Sequence, residues 1–215
     1  MINRDIFIKG AEQMDVVLHA GDIEKFSIYL EELKLWNKKI NLTAIKKDEE
    51  IITNHFLDSL AIVKYINPDS TLLDIGSGAG FPGVPVALSS PDCFVTCCDS
   101  VGKKIMFIIH IVRKLGLQNV KTISGRVGKG EQNLQLYDYV VTRAVSDLLT
   151  VIKLSRPYTK KSGKIIAMRG EKGKDELEDV SGELDSLGLE IEKIDEFELP
   201  HCRAKRVNII FKKSV

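Results

Sequence analysis

The feature that most restricts how this chain can fold is the stretch Leu72-Leu73-Asp74-Ile75-Gly76-Ser77-Gly78-Ala79-Gly80-Phe81-Pro82-Gly83. A short apolar run passes directly into alternating glycines and then into a segment that can begin a helix. Such a unit opens an open α/β sheet, whose ligands bind beyond the carboxyl ends of the strands. Glycines at 76, 78 and 80 remove Cβ atoms, so the backbone can turn sharply and approach a ligand. Pro82 suits a first helical turn, where its missing N–H would have no partner. Free N–H groups at the helix start are expected to welcome an anionic group.

The remainder of the chain supports the same architecture. From Thr71 onward, apolar runs near 71–75, 93–98, 119–124, 138–142, 163–168, 189–197 and 206–212 read as strands. Amphipathic segments at 82–90, 101–116, 146–156 and 173–187 read as helices, with Gly116 and Gly188 at C-cap positions. Leu199 to Lys205 is too short for a crossover helix, so the last two strands should pair antiparallel. Upstream, Phe26, Leu30, Leu33 and Ile40, with Tyr29 and Trp36, recur at helical spacing. A second helix is expected from Lys47 to Tyr65, with Asn41 to Ile45 as the turn between. The expected fold is therefore α/β, a mostly parallel seven-stranded sheet closed by an antiparallel hairpin. Residues 1–66 form a helical extension and residues 67–215 the catalytic domain. This topology is typical of class I methyltransferases that use S-adenosylmethionine.

Two cofactors compete for the loop. Gly78, Gly80 and Gly83 satisfy the spacing G-x-G-x-x-G, and Asp99 lies 21 residues beyond Gly78, so a nicotinamide-dependent oxidoreductase must be weighed. Its register is wrong: counted from Gly76, the first glycine after the strand, the third position falls on Phe81. Asp74, at the strand end, instead matches the acidic residue of adenosylmethionine enzymes. Asp99 could accept two hydrogen bonds from a ribose diol, or cap the helix that follows.

The formal net charge of +1 seems to leave no room for a polyanionic partner, but it is a cancellation. Residues 101–172 carry 15 basic and 4 acidic side chains, against an acidic excess elsewhere. The four cysteines, Cys93, Cys97, Cys98 and Cys202, contain no C-x-x-C pair. They read as buried reduced thiols, with no metal expected. No apolar run is long enough to span a bilayer, and no secretory signal is evident. A cytoplasmic monomer without a membrane partner is the expectation.

These residues resemble a family, the bacterial glucose-inhibited division protein B or RsmG family. The resemblance rests on Asn41 to Ile45, His55-Phe56-Leu57-Asp58-Ser59-Leu60, the block from Asp74 to Gly83, Asp99-Ser100 with Lys103-Lys104, Gly125-Arg126-Val127 and Thr142-Arg143-Ala144. It implies an enzyme that methylates nitrogen-7 of a guanine in 16S ribosomal RNA of the small subunit, with S-adenosylmethionine as methyl donor. It further implies that Gly76 and Phe81 hold the cofactor, that Val127 and Gly128 lie against its adenine, and that Arg143 completes the pocket. The chain departs from the family pattern at Gly128, where an acidic residue is usual, and at Arg169, where lysine is usual.

Nitrogen-7 of guanine is an unprotonated lone pair, so its methylation needs no general base and catalysis should rest on positioning. Lys and Arg are then expected to avoid the reaction centre and to grip phosphates at its edge. His55 and Asp58 share a helical face and are either a base and its partner or a structural pair. The expected RNA contacts are Lys103, Lys104, Arg126, Arg169 and Lys172, with a second cluster at Arg203, Lys205 and Arg206; Lys129 belongs to the same basic stretch. A third reading is a non-catalytic ribosome-assembly or RNA-binding factor.

Overall fold

The computed structural model describes residues 2–128 and 135–214; Lys129 lies outside them. Seven strands form one sheet: β1 (Thr71–Ile75), β2 (Phe94–Asp99), β3 (Val120–Ser124), β4 (Tyr137–Arg143), β5 (Thr159–Gly170), β6 (Leu189–Glu198) and β7 (Lys205–Lys213). Their order is β3-β2-β1-β4-β5-β7-β6. β1 to β5 run parallel, while β7 pairs antiparallel with both β5 and β6. The strand limits agree closely with the pattern read from sequence, except that β5 begins earlier.

Helices α5 (Gly83–Ser89), α6 (Gly102–Leu115), α7 (Leu148–Ser155) and α8 (Gly173–Val180) cover the sheet. Gly116, with φ of 67°, ends α6 as a left-handed cap. Pro82 stands one residue earlier than expected, at the cap position of α5. α8 stops well short of 187. There Ser181 Oγ donates to the Glu178 carbonyl at 2.9 Å, drawing on a backbone acceptor of the last turn, and the chain tightens into a 3₁₀ turn, Ser181–Glu183.

The N-terminal layer contains α1 (Arg4–Glu12) and α2 (Ala20–Asn37). The single helix expected from Lys47 to Tyr65 is instead segmented. α3 (Asp48–Ile51) widens into a π-helical stretch, Ile52–Leu57, then returns to α4 (Asp58–Leu60) before a 3₁₀ turn, Val63–Tyr65. Phe7, Phe26, Tyr29 and Phe56 pack in one apolar core with Phe81 and Phe107, so burial of aromatic surface binds this layer to the sheet. Cys93, Cys97 and Cys98 are buried free thiols, whereas Cys202 is exposed, contrary to expectation, because it sits in the turn between β6 and β7. Among the described residues no helix is long and apolar enough to cross a membrane.

Candidate active site

The strand order reverses at β1, whose neighbours are β2 and β4, and a crevice opens there beyond the strand ends. A cavity of about 500 Å³ occupies it. One wall is the glycine loop, through Gly76, Ser77, Gly78, Ala79 and Phe81; the opposite wall comes from the N-terminal layer, through Thr43, Asn54, His55 and Asp58. Arg143, Arg169 and Arg206, from the ends of β4, β5 and β7, close the third side.

The loop is tied down by its own donors. Gly76 and Ser77 N–H both donate to the Cys98 carbonyl, at 2.8 and 3.0 Å, and Gly80 and Phe81 N–H donate to the Ser77 carbonyl, at 2.7 and 2.8 Å. Gly78 N–H donates to Asp99 Oδ2 at 2.8 Å, and Gly83 N–H, which opens α5, donates to Asp74 Oδ2 at 2.9 Å. The donors expected to receive an anion are therefore consumed. A carboxylate beneath the start of α5 further opposes a pyrophosphate there.

Asp74 is fully buried and does not line the cavity. Its role is structural, an anchor under the loop. Burial pushes its carboxyl up to about 7, offset in part by the Gly83 N–H and the Ser77 hydroxyl. Gly80 is also absent from the lining: a Cβ there would lie 2.6 Å from the Tyr29 hydroxyl and 2.8 Å from Val84 Cγ2. Its glycine serves the close approach of α2. Gly78, by contrast, takes a φ of 58° with only the Gly76 carbonyl oxygen, 3.9 Å away, near where a Cβ would be, which leaves a cradle a ligand can enter.

Asp99 has both carboxylate oxygens in use, Oδ2 on Gly78 N–H and Oδ1 on Val101 N–H at 2.8 Å. It thus braces the loop and the entry to α6, and its remaining lone pairs are what a ribose could use. Val127 is buried in a small core with Ile75 and Cys98, and Gly128 N–H donates to the Tyr158 hydroxyl at 3.1 Å. Neither lines the cavity, but Gly125 N–H donates to the Asp99 carbonyl at 3.0 Å. This places the turn that carries them beside Asp99.

Across the cavity, Arg143 organises the N-terminal wall. Its Nη1 donates to the Asn54 carbonyl at 2.9 Å and to Asp58 Oδ2 at 3.1 Å, and its Nη2 lies 3.2 Å from His55 Nδ1. Asp58 also accepts from Arg206 Nε at 3.1 Å. The π-helical widening presents Asn54, His55 and Asp58 together on the cavity, as such bulges often do at working sites. His55 Nδ1 lies between Arg143 Nη2 and the Asn54 carbonyl, 3.1 Å away, and its Nε2 is hydrogen-bonded to Thr43 Oγ1 at 2.7 Å. His55 also stacks on Phe81, with centroids 4.7 Å apart. Burial, and then the charge of Arg143, lower its pKa to about 3. His55 and Asp58 are joined through Arg143, each as its separate partner.

Three guanidinium groups and one carboxylate line the cavity. The arginines are tolerable there because internal acceptors hold them. Arg169 in particular is buried, not an exposed RNA contact: Nη1 donates to the Ser146 carbonyl at 2.7 Å and Nε lies 3.5 Å from Glu176. Lys205 pairs with Glu171 at 2.8 Å on the exposed surface, and Arg206 is engaged by Asp58 and, at 3.2 Å, by Asn54 Oδ1. Lys103, Arg126, Lys172 and Arg203 are exposed and Lys104 half-buried. Tyr29 is the residue the sequence concealed. An aromatic on a buried helical stripe reads as core, yet its hydroxyl donates to the Ala79 carbonyl of the loop. Among the described residues no group of three or more His, Cys, Asp or Glu could hold a metal.

Sheet order, glycine loop and crevice together define the class I fold of S-adenosylmethionine-dependent methyltransferases. The fold is similar to that of precorrin-6y C5,15-methyltransferase from Geobacter metallireducens, with TM-score 0.59, 17% identity, and coverage of 79% of this chain and 90% of that one. It is also similar to a SAM-dependent methyltransferase from Aquifex aeolicus, with TM-score 0.58, 17% identity, and coverage of 80% and 96%.

The particular family follows from sequence: residues 22–206 match the model of rRNA small subunit methyltransferase G, GidB, and the chain belongs to that family. Ribosomal RNA small subunit methyltransferase G of Geotalea uraniireducens is 38% identical over 211 residues, 98% of this chain and 96% of that protein. The protein of the same name from Geobacter metallireducens is 39% identical over 201 residues, 92% and 90% of the two chains.

Proposed function

We propose that this chain transfers the methyl group of S-adenosylmethionine to nitrogen-7 of a guanine in 16S ribosomal RNA. The observation that carries the choice of cofactor is the state of the loop donors. The N–H groups of Gly76, Ser77, Gly78, Gly80, Phe81 and Gly83 are spent on the Cys98 and Ser77 carbonyls and on the carboxylates of Asp74 and Asp99. A pyrophosphate needs such donors free, whereas an adenosine and an amino-acid zwitterion do not. Gly76, Gly78 and Phe81 would hold the cofactor, with Asp99 toward its ribose and the turn at Val127-Gly128 toward its adenine. The excess of guanidinium charge at Arg143, Arg169 and Arg206 suits the cofactor's carboxylate or a phosphate of the RNA.

Bound S-adenosylmethionine would supply an electrophilic methyl group on a cationic sulfonium. The residues of the chain supply position. Tyr29 and Asp99 hold the glycine loop in one shape, and Arg143 fixes the His55 ring against Phe81. His55 stays neutral at physiological pH, with Nε2 held against Thr43 Oγ1. It removes no proton, because an attacking nitrogen-7 has none to lose. Holding two reactants in line can lower a barrier by roughly 7–11 kcal/mol, so positioning is a sufficient source of rate.

A ribosomal RNA substrate fits a reaction in the cytoplasm. Calorimetric titration tests the cofactor assignment: S-adenosylmethionine should bind and a nicotinamide dinucleotide should not. Binding of the dinucleotide instead would restore the oxidoreductase reading, and cofactor binding without methyl transfer to RNA would favour the non-catalytic one.

A further inference from the structure

The segment from Asn41 to Lys46 is a wall with a cavity on each side. One is the candidate active site. The other is a groove of about 850 Å³ lined by Lys34, Asn37, Lys38, Asn41 and Lys46 over an apolar floor, with no carboxylate in its lining. Leu42, Thr43 and Ile45 line both. The wall is held from each side. Asn37 Oδ1 accepts from the N–H groups of Leu42 and Thr43, at 2.8 and 3.0 Å, while its Nδ2 donates to the Thr43 carbonyl at 2.9 Å. On the active-site side Thr43 Oγ1 is hydrogen-bonded to His55 Nε2 at 2.7 Å. Lys34 is paired with Asp48 at 2.6 Å, whereas Lys38 and Lys46 are exposed and form no ion pair among the described residues.

We propose that this groove takes the phosphate backbone of the RNA strand beside the target nucleotide, whose base crosses the wall into the active site. The proposal rests on the RNA methylation reading above and adds the place where the strand docks. A base unstacked for reaction stays tethered to its own phosphates, so its docking surface must adjoin the catalytic cavity. A lysine-lined, carboxylate-free groove that shares a wall with that cavity meets this demand, with ammonium groups acting as point charges toward phosphate. Net charge by segment hides it, because residues 1–70 carry more acidic than basic side chains.

The test is the double variant Lys38→Gln/Lys46→Gln, bound to unmodified 16S ribosomal RNA transcribed in vitro across a salt series. The variant's affinity should fall on the order of tenfold, and the slope of log affinity against log salt should shrink by about 1.4 for two lost phosphate contacts. Affinity for S-adenosylmethionine should not change, which checks the fold. RNA affinity and slope equal to wild type would overturn the proposal. So would a variant that binds naked RNA normally yet fails only on assembled small subunits, which would mark the groove as a protein contact. A wild-type protein that binds RNA through these lysines but transfers no methyl group would uphold the groove and sink the parent reading.

Discussion

The hydroxyl of Tyr29 donates to the carbonyl of Ala79 at 2.5 Å, and the Tyr29 ring stacks on Phe81 with centroids 5.3 Å apart. The N-terminal layer thus fixes the loop that would hold the cofactor. Tyr29→Phe keeps the stacking but leaves a buried carbonyl unpaired, at a cost of about 1–3 kcal/mol. Urea unfolding should show that loss, and calorimetry should show weaker cofactor binding. Unchanged affinity would mean the loop holds its shape unaided.

Asp58 joins two guanidinium groups from different strands to the N-terminal layer. Asp58→Asn removes the charge from a carboxylate that is 5% exposed and held by Arg143 and Arg206. Breaking such a buried pair costs on the order of 3 kcal/mol. A double-mutant cycle with Arg143→Gln should give a coupling energy well above that of a surface ion pair, and a coupling near zero would refute the hub role.

Two glycines of the loop should respond in opposite ways. Gly80→Ala forces a Cβ against Tyr29 and Val84 at a φ of 94°, so it should lower the melting temperature strongly. Gly78→Ala meets nothing closer than the Gly76 carbonyl oxygen, 3.9 Å away, at a φ of 58° and should cost only about 1–2 kcal/mol of backbone strain, while cofactor affinity falls. Equal stability losses in the two variants would contradict the division between a packing glycine and a ligand glycine.

His55 provides a pH test. Its folded pKa, about 3, lies below its unfolded value near 6.5. Between those values the unfolded state binds more protons, so its contribution to stability is complete above pH 6.5 and is lost as pH falls toward 3. At about pH 4.5 the loss should be about 3 kcal/mol, and His55→Gln should flatten that part of the stability curve. Single-turnover methyl transfer should show no titration of His55 near neutrality; a steep rise there that His55→Gln abolished would make the ring a base.

The sheet was legible because its signals are local. Apolar runs, Gly116 as a cap and a short link before β7 each declare themselves within a few residues. The family resemblance drew attention to His55, Asp58 and Arg143, but not to how they connect. Their partners are far apart in the chain, and the π-helical turn that brings Asn54, His55 and Asp58 onto one wall has no spacing signature. Charge counting likewise could not tell that Arg169 is buried with Nη1 on the Ser146 carbonyl, or that Lys205 pairs with Glu171. Asp74 and Gly80 matched a ligand motif for reasons of packing beneath the loop.

The most direct test of the whole account is transfer of labelled methyl from S-adenosylmethionine to 16S ribosomal RNA that lacks the modification, followed by mapping of the modified position. The account predicts label at nitrogen-7 of one guanine, revealed by strand cleavage specific to 7-methylguanine. Label on another base, on another atom of guanine or on protein would contradict it.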